Sequence, residues 1–438
     1  MLAEMRGAKA TQATGGQIAV LTIESMGCEG CAAVVETALR AERGVREVQV
    51  APRHHEARVV FNPGAVQLAD LVRVVEARGL RPVRVSTPPT EPAVRVGPDR
   101  PAAPWVRSPA YDGGLIIGSA SITLLIIALY ASLGPETNLR KLGVNQALNL
   151  MVPLLLGGPH IFFSATRTLL DREFRRQYPA LIRLIPHAIA LMSIALALSD
   201  PNLLMNIVFF SALLHGLTQL GHLVVRYRLN AGEHGRTGTV IDVLTITLGP
   251  LFIVSYSLHH RVFTLSGETI TRSLTPLWLV YLIGLAAAGA ALAFVVRGLR
   301  AYAAGQLNPA KTLLVVVTLP TWWVLMAVDN LDVTFQSYNA WHSLQYMALT
   351  WAVNASRLER GQLRSPLVAR LAQPGHLHVL YGSALLFALT IGLLVLALSG
   401  FASDLTRAPW YFIIAISILL IHHAFDYFLF LRRRHFAL

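Results

Sequence analysis

Ten apolar segments are strung along the last three-quarters of the chain, and they constrain its fold more than any other feature. They run at about 114–133, 144–164, 181–198, 203–225, 238–258, 276–296, 312–328, 337–354, 379–401 and 409–431. Each approaches the ~20 residues that carry a helix across a hydrocarbon core, twice what a spanning strand needs. No water is available there to satisfy an open backbone, so helices are the spanning form these lengths select. Residues 113–438 therefore read as an all-α polytopic bundle of about ten transmembrane helices. The composition, 54% hydrophobic and 14% charged, excludes a wholly soluble enzyme and a disordered chain, since soluble domains carry about 25% charge. The eighth segment is the most polar and belongs inside the bundle.

The basic excess tests the count and sets an orientation. Fourteen Lys and Arg fall in alternate connections, among them Arg172, Arg175, Arg236, Arg300 and Arg364, against five in the intervening ones. The positive-inside rule then places both termini in the cytoplasm. The same excess, a net +13, suits anionic headgroups; with no basic patch interleaved with aromatics, no nucleic-acid partner is expected. The lipid bilayer and metal ions are the expected partners, and the oligomeric state is not legible.

Histidine is the unusual residue of the membrane part. Of 15 in the chain, ten lie in or beside apolar segments, where ionisable groups are costly and point to function. His215, Gln219 and His222 follow an i, i+4, i+7 stripe. His422 and Asp426 are one turn apart, as are His423 and Tyr427; Tyr338, His342, Gln345 and Tyr346 share a face. Neutral imidazoles with a carboxylate suit Fe, Cu or Zn. The candidate ligands are His215, His222, His422, His423 and Asp426, with His160 and His342 as further members. Pro159 is expected to kink or end a helix beside His160.

The first quarter of the chain is different. Residues 1–16 are polar and flexible in composition, with no apolar run of a signal peptide. Over 17–86, strand signals (Ala19, Leu21 and Ile23; Ala57, Val59 and Phe61) alternate with helical ones (Ala32, Val35 and Leu39; Leu68, Leu71, Val72 and Val75). The order βαββαβ predicts a small α+β ferredoxin-like domain. Seven Pro in 87–112 make that segment a semi-extended linker.

Between the first strand and first helix stands Ser25-Met26-Gly27-Cys28-Glu29-Gly30-Cys31, with the chain's two Cys. Thiolates one turn apart at a helix N-terminus suit a soft ion; a thioredoxin-like redox pair is the alternative reading. The segment resembles the heavy-metal-associated domain, whose motif is Gly-Met-x-Cys-x-x-Cys. Met26, Cys28 and Cys31 match it and Ser25 replaces the Gly. Leu80 stands where relatives often carry an aromatic. The resemblance implies a soft metal ion, copper foremost, on Cys28 and Cys31.

No P-loop, Asp-Lys-Thr-Gly, His-Glu-x-x-His or Gly-x-Ser-x-Gly motif occurs, so a P-type ATPase engine is excluded despite the head. The expected function is a metal-dependent oxidoreductase acting at an intramembrane His/Asp centre (Fe, Cu or Zn) on a lipophilic substrate. The histidine distribution resembles that of polytopic His-rich oxygenases such as bacterial carotene-cleaving membrane dioxygenases, with no residue carried over. A heavy-metal transporter loaded by the head is the alternative; a bundle without Cys and with scattered Met fits a soft-ion path poorly. A non-catalytic metal sensor is the third reading.

Overall fold

The computed structural model describes residues 17–24, 29–51, 56–86, 104–133, 139–271, 275–400 and 409–431. The chain divides into two compact units, Met1–Arg100 and Pro101–Leu438.

The first unit is a four-stranded antiparallel sheet with two helices: β1 Gln17–Glu24, α1 Glu29–Arg40, β2 Val45–Ala51, β3 Glu56–Phe61, α2 Leu68–Glu76 and β4 Arg81–Ser86. The strand order β2-β3-β1-β4 is the ferredoxin-like arrangement the sequence predicts. Alternation works as expected: Ala19, Leu21, Ile23, Ala57, Val59 and Phe61 all lie in one core, closed by Val35 and Leu39 of α1 and Leu71 and Val75 of α2. Gly44 turns from α1 into β2 at φ +107°, and a Cβ there would meet Ala65 at 2.7 Å, so both backbone and space require glycine. β4 is an edge strand paired with β1 alone, which tolerates Pro82 and leaves Val83 outward.

The second unit is helical. Nine of its described helices are long and apolar enough to cross a membrane: α3 Pro109–Ala131, α4 Gly143–Ala165, α5 Pro179–Ser199, α6 Pro201–Asn230, α7 Arg236–His260, α8 Leu277–Ala303, α9 Pro309–Ala327, α11 Pro374–Leu398 and α12 Tyr411–Phe430. The tenth expected span is α10, Leu331–Glu359. Its composition keeps it out of that set, because its polar residues face protein. Gln336, Ser337, His342, Ser343, Gln345, Thr350 and Asn354 are all buried. Hydrogen bonds tie them to neighbours: Gln345 Nε2 donates to Ile116 O of α3 at 2.8 Å, and Gln219 Nε2 of α6 donates to Gln345 Oε1 at 2.8 Å. A helix wrapped on every side needs no apolar lipid face.

Three local features depart from the sequence reading. The first span opens at Pro109, inside the segment read as linker. Pro takes the first helical position, and the Ser108 side chain accepts from Tyr111 N at 3.1 Å. Pro159 does not end its helix: a π turn, Pro153–Gly157, leads into the α-helical turn Gly158–Ala165 that contains it, with Pro159 in its first two positions. A β-hairpin unforeseen in the sequence, β5 Phe263–Leu265 and β6 Glu268–Ile270, joins α7 to α8. Its two-residue turn has positive φ at both Ser266 and Gly267, the hand that matches strand twist.

Candidate metal sites

In the head, β1 ends at Glu24 and α1 begins at Glu29, so the loop of the Cys-x-x-Cys lies between a strand end and a helix start. Met26 and Cys28 lie outside the described residues; Cys31 is the third residue of α1.

In the bundle, four helices bring the intramembrane histidines together. α4 contributes His160, α6 His215, α10 His342, and α12 His422, His423 and Asp426, all buried. One donor atom from each of His160, His215, His422 and Asp426 lies within 4.8 Å of the others. His422 Nδ1 stands 3.6 Å from Asp426 Oδ2, and His215 Nε2 stands 4.0 Å from the same oxygen. His342 Nε2 lies at hydrogen-bond distance, 2.9 Å, from His215 Nε2, beside the four donors and not one of them. A tetrahedral ion with ~2.0–2.1 Å bonds to nitrogen would draw such atoms to roughly 3.3 Å apart, a shift within side-chain reach.

The outer hydrogen bonds decide which ring nitrogens are free. Ser343 Oγ donates its one hydrogen to Asn339 Oδ1 at 3.1 Å. It can therefore only accept from His160, whose Nδ1 lies 3.2 Å away. His160 thus carries its proton on Nδ1, and its Nε2 lone pair is left toward the centre. Ser211 repeats the arrangement: it donates to Val208 O at 3.0 Å, so His423 Nδ1, also 3.0 Å away, donates to it. Ser164 donates to Asp426 Oδ1, leaving Oδ2 toward the imidazoles. These are the partners that orient metal-ligating side chains.

The residues fit a metal ion. His160 Nε2, both ring nitrogens of His422 and Asp426 Oδ2 are buried with no hydrogen-bond partner. Leaving that many polar atoms unsatisfied costs about 1–3 kcal/mol each, and a divalent ion would satisfy several at once. Three imidazoles and one carboxylate are the donors of Fe, Zn or Cu(II) sites.

His222, by contrast, lies two turns along α6 from His215, roughly 10 Å by helical rise, and its ring faces Phe430 at 5.4 Å. The stripe His215/Gln219/His222 divides: Gln219 serves the bundle as a hydrogen-bond donor to Gln345. Tyr427 faces outward while His423 faces in. Ser164, Ser211 and Ser343 escaped the sequence reading, because a serine in an apolar helix most often bonds its own backbone.

A cavity of about 560 Å³ opens from the cluster, within the 300–1,000 Å³ of small-molecule sites. His160, His215, His342 and His423 form one end; Leu154, Phe387, Ile391 and Leu419 contribute to an apolar wall. Elsewhere in the bundle, ion pairs occupy the interior. Fully buried Asp242 is bonded to Arg228 and lies 3.1 Å from both Arg297 and Lys311, while Glu233 takes Lys311 and Arg228 at 2.7 Å each.

Residues 20–79 match the family model of the heavy-metal-associated domain. The head belongs to that family. Its fold order, with Cys31 in the first turn of the helix that follows the first strand, agrees. Over 57 residues the chain is 37% identical to a cation-transporting ATPase, HMA5, of Oryza sativa subsp. japonica. That alignment covers 13% of this chain and 6% of the ATPase, so the likeness is confined to the head. No solved structure matches. With its heavy-metal-associated domain, its nine candidate spans and its buried His/Asp cluster, the chain is a multi-pass membrane protein that binds metal.

Proposed function

We propose that the bundle is a metal-dependent oxidoreductase acting on a lipophilic substrate, and that the head binds a Cu(I)-type ion through Cys28 and Cys31. The observation that carries this is the junction of two things: unpartnered donors at His160, His422 and Asp426, and a largely apolar cavity that reaches His160 and His215 of the same cluster. His160, His215, His422 and Asp426 hold the ion. Ser343 and Ser164 orient the rings and carboxylate, and the cavity wall excludes water from the substrate's reacting end. When bound, Fe or Cu would supply the electron exchange that these side chains lack; Zn(II) would supply only Lewis acidity. We further place both termini in the cytoplasm on the distribution of Lys and Arg.

The head's likeness to a cation-transporting ATPase favours a second reading, a metal permease. Against it stands the ion-paired interior around Asp242, which offers no unpaired carboxylate for a through-path. One experiment separates the two. The full chain carrying Cys28→Ser and Cys31→Ser is purified and its metal content measured. About one ion per chain is expected, lost on His422→Ala. The same protein in vesicles should move no metal; metal-dependent flux would establish the permease, and absence of any bound ion would remove both readings.

A further inference from the structure

The end of the cavity away from the histidines is polar. Asn145, Gln146 and Asn149 of α4 line it. Asn145 and Asn149 are one turn apart, so their amides share a face. The Oδ1 atom of each is buried with no hydrogen-bond partner. Both residues line the cavity, and a donor from what fills it would satisfy these acceptors. Among the described residues no Lys or Arg side chain lines the cavity, and a carboxylate or phosphate would be desolvated against them without a counter-charge. Its one carboxylate, Asp332, already accepts Ser266 N–H at 2.9 Å. A neutral hydroxyl, which donates and accepts, matches this end.

The spacing between the two ends follows from one helix. From Asn149 and Asn145 to His160 is eleven and fifteen residues along α4, roughly 16–22 Å at 1.5 Å per residue. Leu154, Ile161, Phe387, Ile391, Ile418 and Leu419 line the stretch between. Leu150, 56% exposed on the outside of the bundle, and Gly392 also line the cavity, so its wall reaches the face that lipid would cover. Entry from the bilayer needs no water-filled path.

We propose that the cavity binds a long-chain amphiphile with a neutral hydroxyl, held at Asn145 and Asn149, whose apolar body reaches the histidine centre. The bond presented to His160 and His215 is then remote from the hydroxyl. That last consequence rests on the bundle being the metalloenzyme proposed above; the binding and its orientation do not.

The test uses full-length protein and two photoreactive hexadecanol probes, one with a diazirine beside the hydroxyl and one at the far end of the chain. The first should label α4 near Asn145–Asn149, the second α6, α10 or α12 near Ala212, Tyr338 or Leu419. Asn145→Leu with Asn149→Leu should lower labelling by both probes at least about fivefold, the loss of two neutral hydrogen bonds. The hydrocarbon analogue should be weakly held and unaffected by those substitutions. Equal labelling by alcohol and hydrocarbon would mean that any acyl chain fills the cavity, and would overturn the proposal. So would an identical labelling pattern from the two probes, or competition by hexadecanoate as strong as by hexadecanol. Repeating the labelling on His422→Ala, which should lose the metal, separates the two claims: orientation retained there shows that the amphiphile site stands independently of the oxidoreductase reading.

Discussion

The hydroxyl of Tyr338 stands 1.4 Å from the point that a Cβ on Gly216 would occupy. Tyr338 on α10 thus fills a notch that glycine leaves in α6, one residue from His215. Its ring stacks on His342 at 5.6 Å and borders the cavity. Packing of the metal cluster and shape of the cavity meet at this contact.

Gly216→Ala should destabilise the bundle by about 1–3 kcal/mol, the cost of overpacking a close-fitted interior. Tyr338→Phe removes the nearest clashing atom but leaves ring Cζ at 2.7 Å, so the double variant should regain part of the loss. Thermal midpoints of the four proteins in detergent form the cycle. A double variant no better than Gly216→Ala alone would show that the strain lies elsewhere.

Loss of the tautomer-setting bond should weaken metal binding without removing a ligand. In the Cys28→Ser, Cys31→Ser background, Ser343→Ala is expected to lower affinity about 10–100-fold, measured by competition with a chelator. His215→Ala should empty the centre, and His222→Ala should leave it filled. Metal retained in His215→Ala but lost in His222→Ala would mean that the cluster is packing and the ion sits elsewhere on α6.

The head should take one soft ion per chain through its two thiolates. Cu(I) titration of the full chain is expected to show a tight site that Cys28→Ser with Cys31→Ser abolishes, while copper at the bundle, if any, persists. An unchanged titration would return the Cys-x-x-Cys to the redox reading.

Glu233 makes a pH-dependent contribution to the ion-paired end. Burial pushes its carboxyl up, but the hydrogen bonds from Lys311 and Asn308 and the charges of Lys311 and Arg228 outweigh burial and hold it below its usual range. A lowered folded value means that its stabilisation is present above the ordinary ~4.3 and lost as pH falls through the folded value. Wild type should exceed Glu233→Gln in stability by about 1 kcal/mol at pH 7, since the pair is partly exposed. The gap should close in acid. A gap independent of pH would assign the effect to packing.

Orientation is checked by cysteine labelling in intact cells. Residues introduced at Arg236 and Arg364 should be shielded from an impermeant reagent and one at Arg261 should react. Several of the charges behind this expectation are paired inside the protein, Arg228 with Asp242 and Arg357 with Asp171. The rule counts Lys and Arg, whatever acids lie beside them, so the expectation stands; a reversed pattern would mean a span was split or joined wrongly.

The sequence by itself determined what local periodicity controls. Alternation at Ala19, Leu21 and Ile23, and the helical spacing of Leu71 and Val75, specify elements whose buried face follows from pattern alone. Apolar length similarly specifies the spans, and the polarity of 337–354 marks α10 as internal. Tertiary structure alone decided which polar faces meet. His160, alone in its segment, joins His215, His422 and Asp426 from other helices, while His222, in register with His215, does not. The reason is geometric. Spacing fixes a residue's angle about its own helix, but convergence depends on how helices cross and on π turns such as Pro153–Gly157, which re-aim all that follows. The serines that set the imidazole tautomers, and the amides of Asn145 and Asn149 across the cavity, acquire their roles only once those crossings exist.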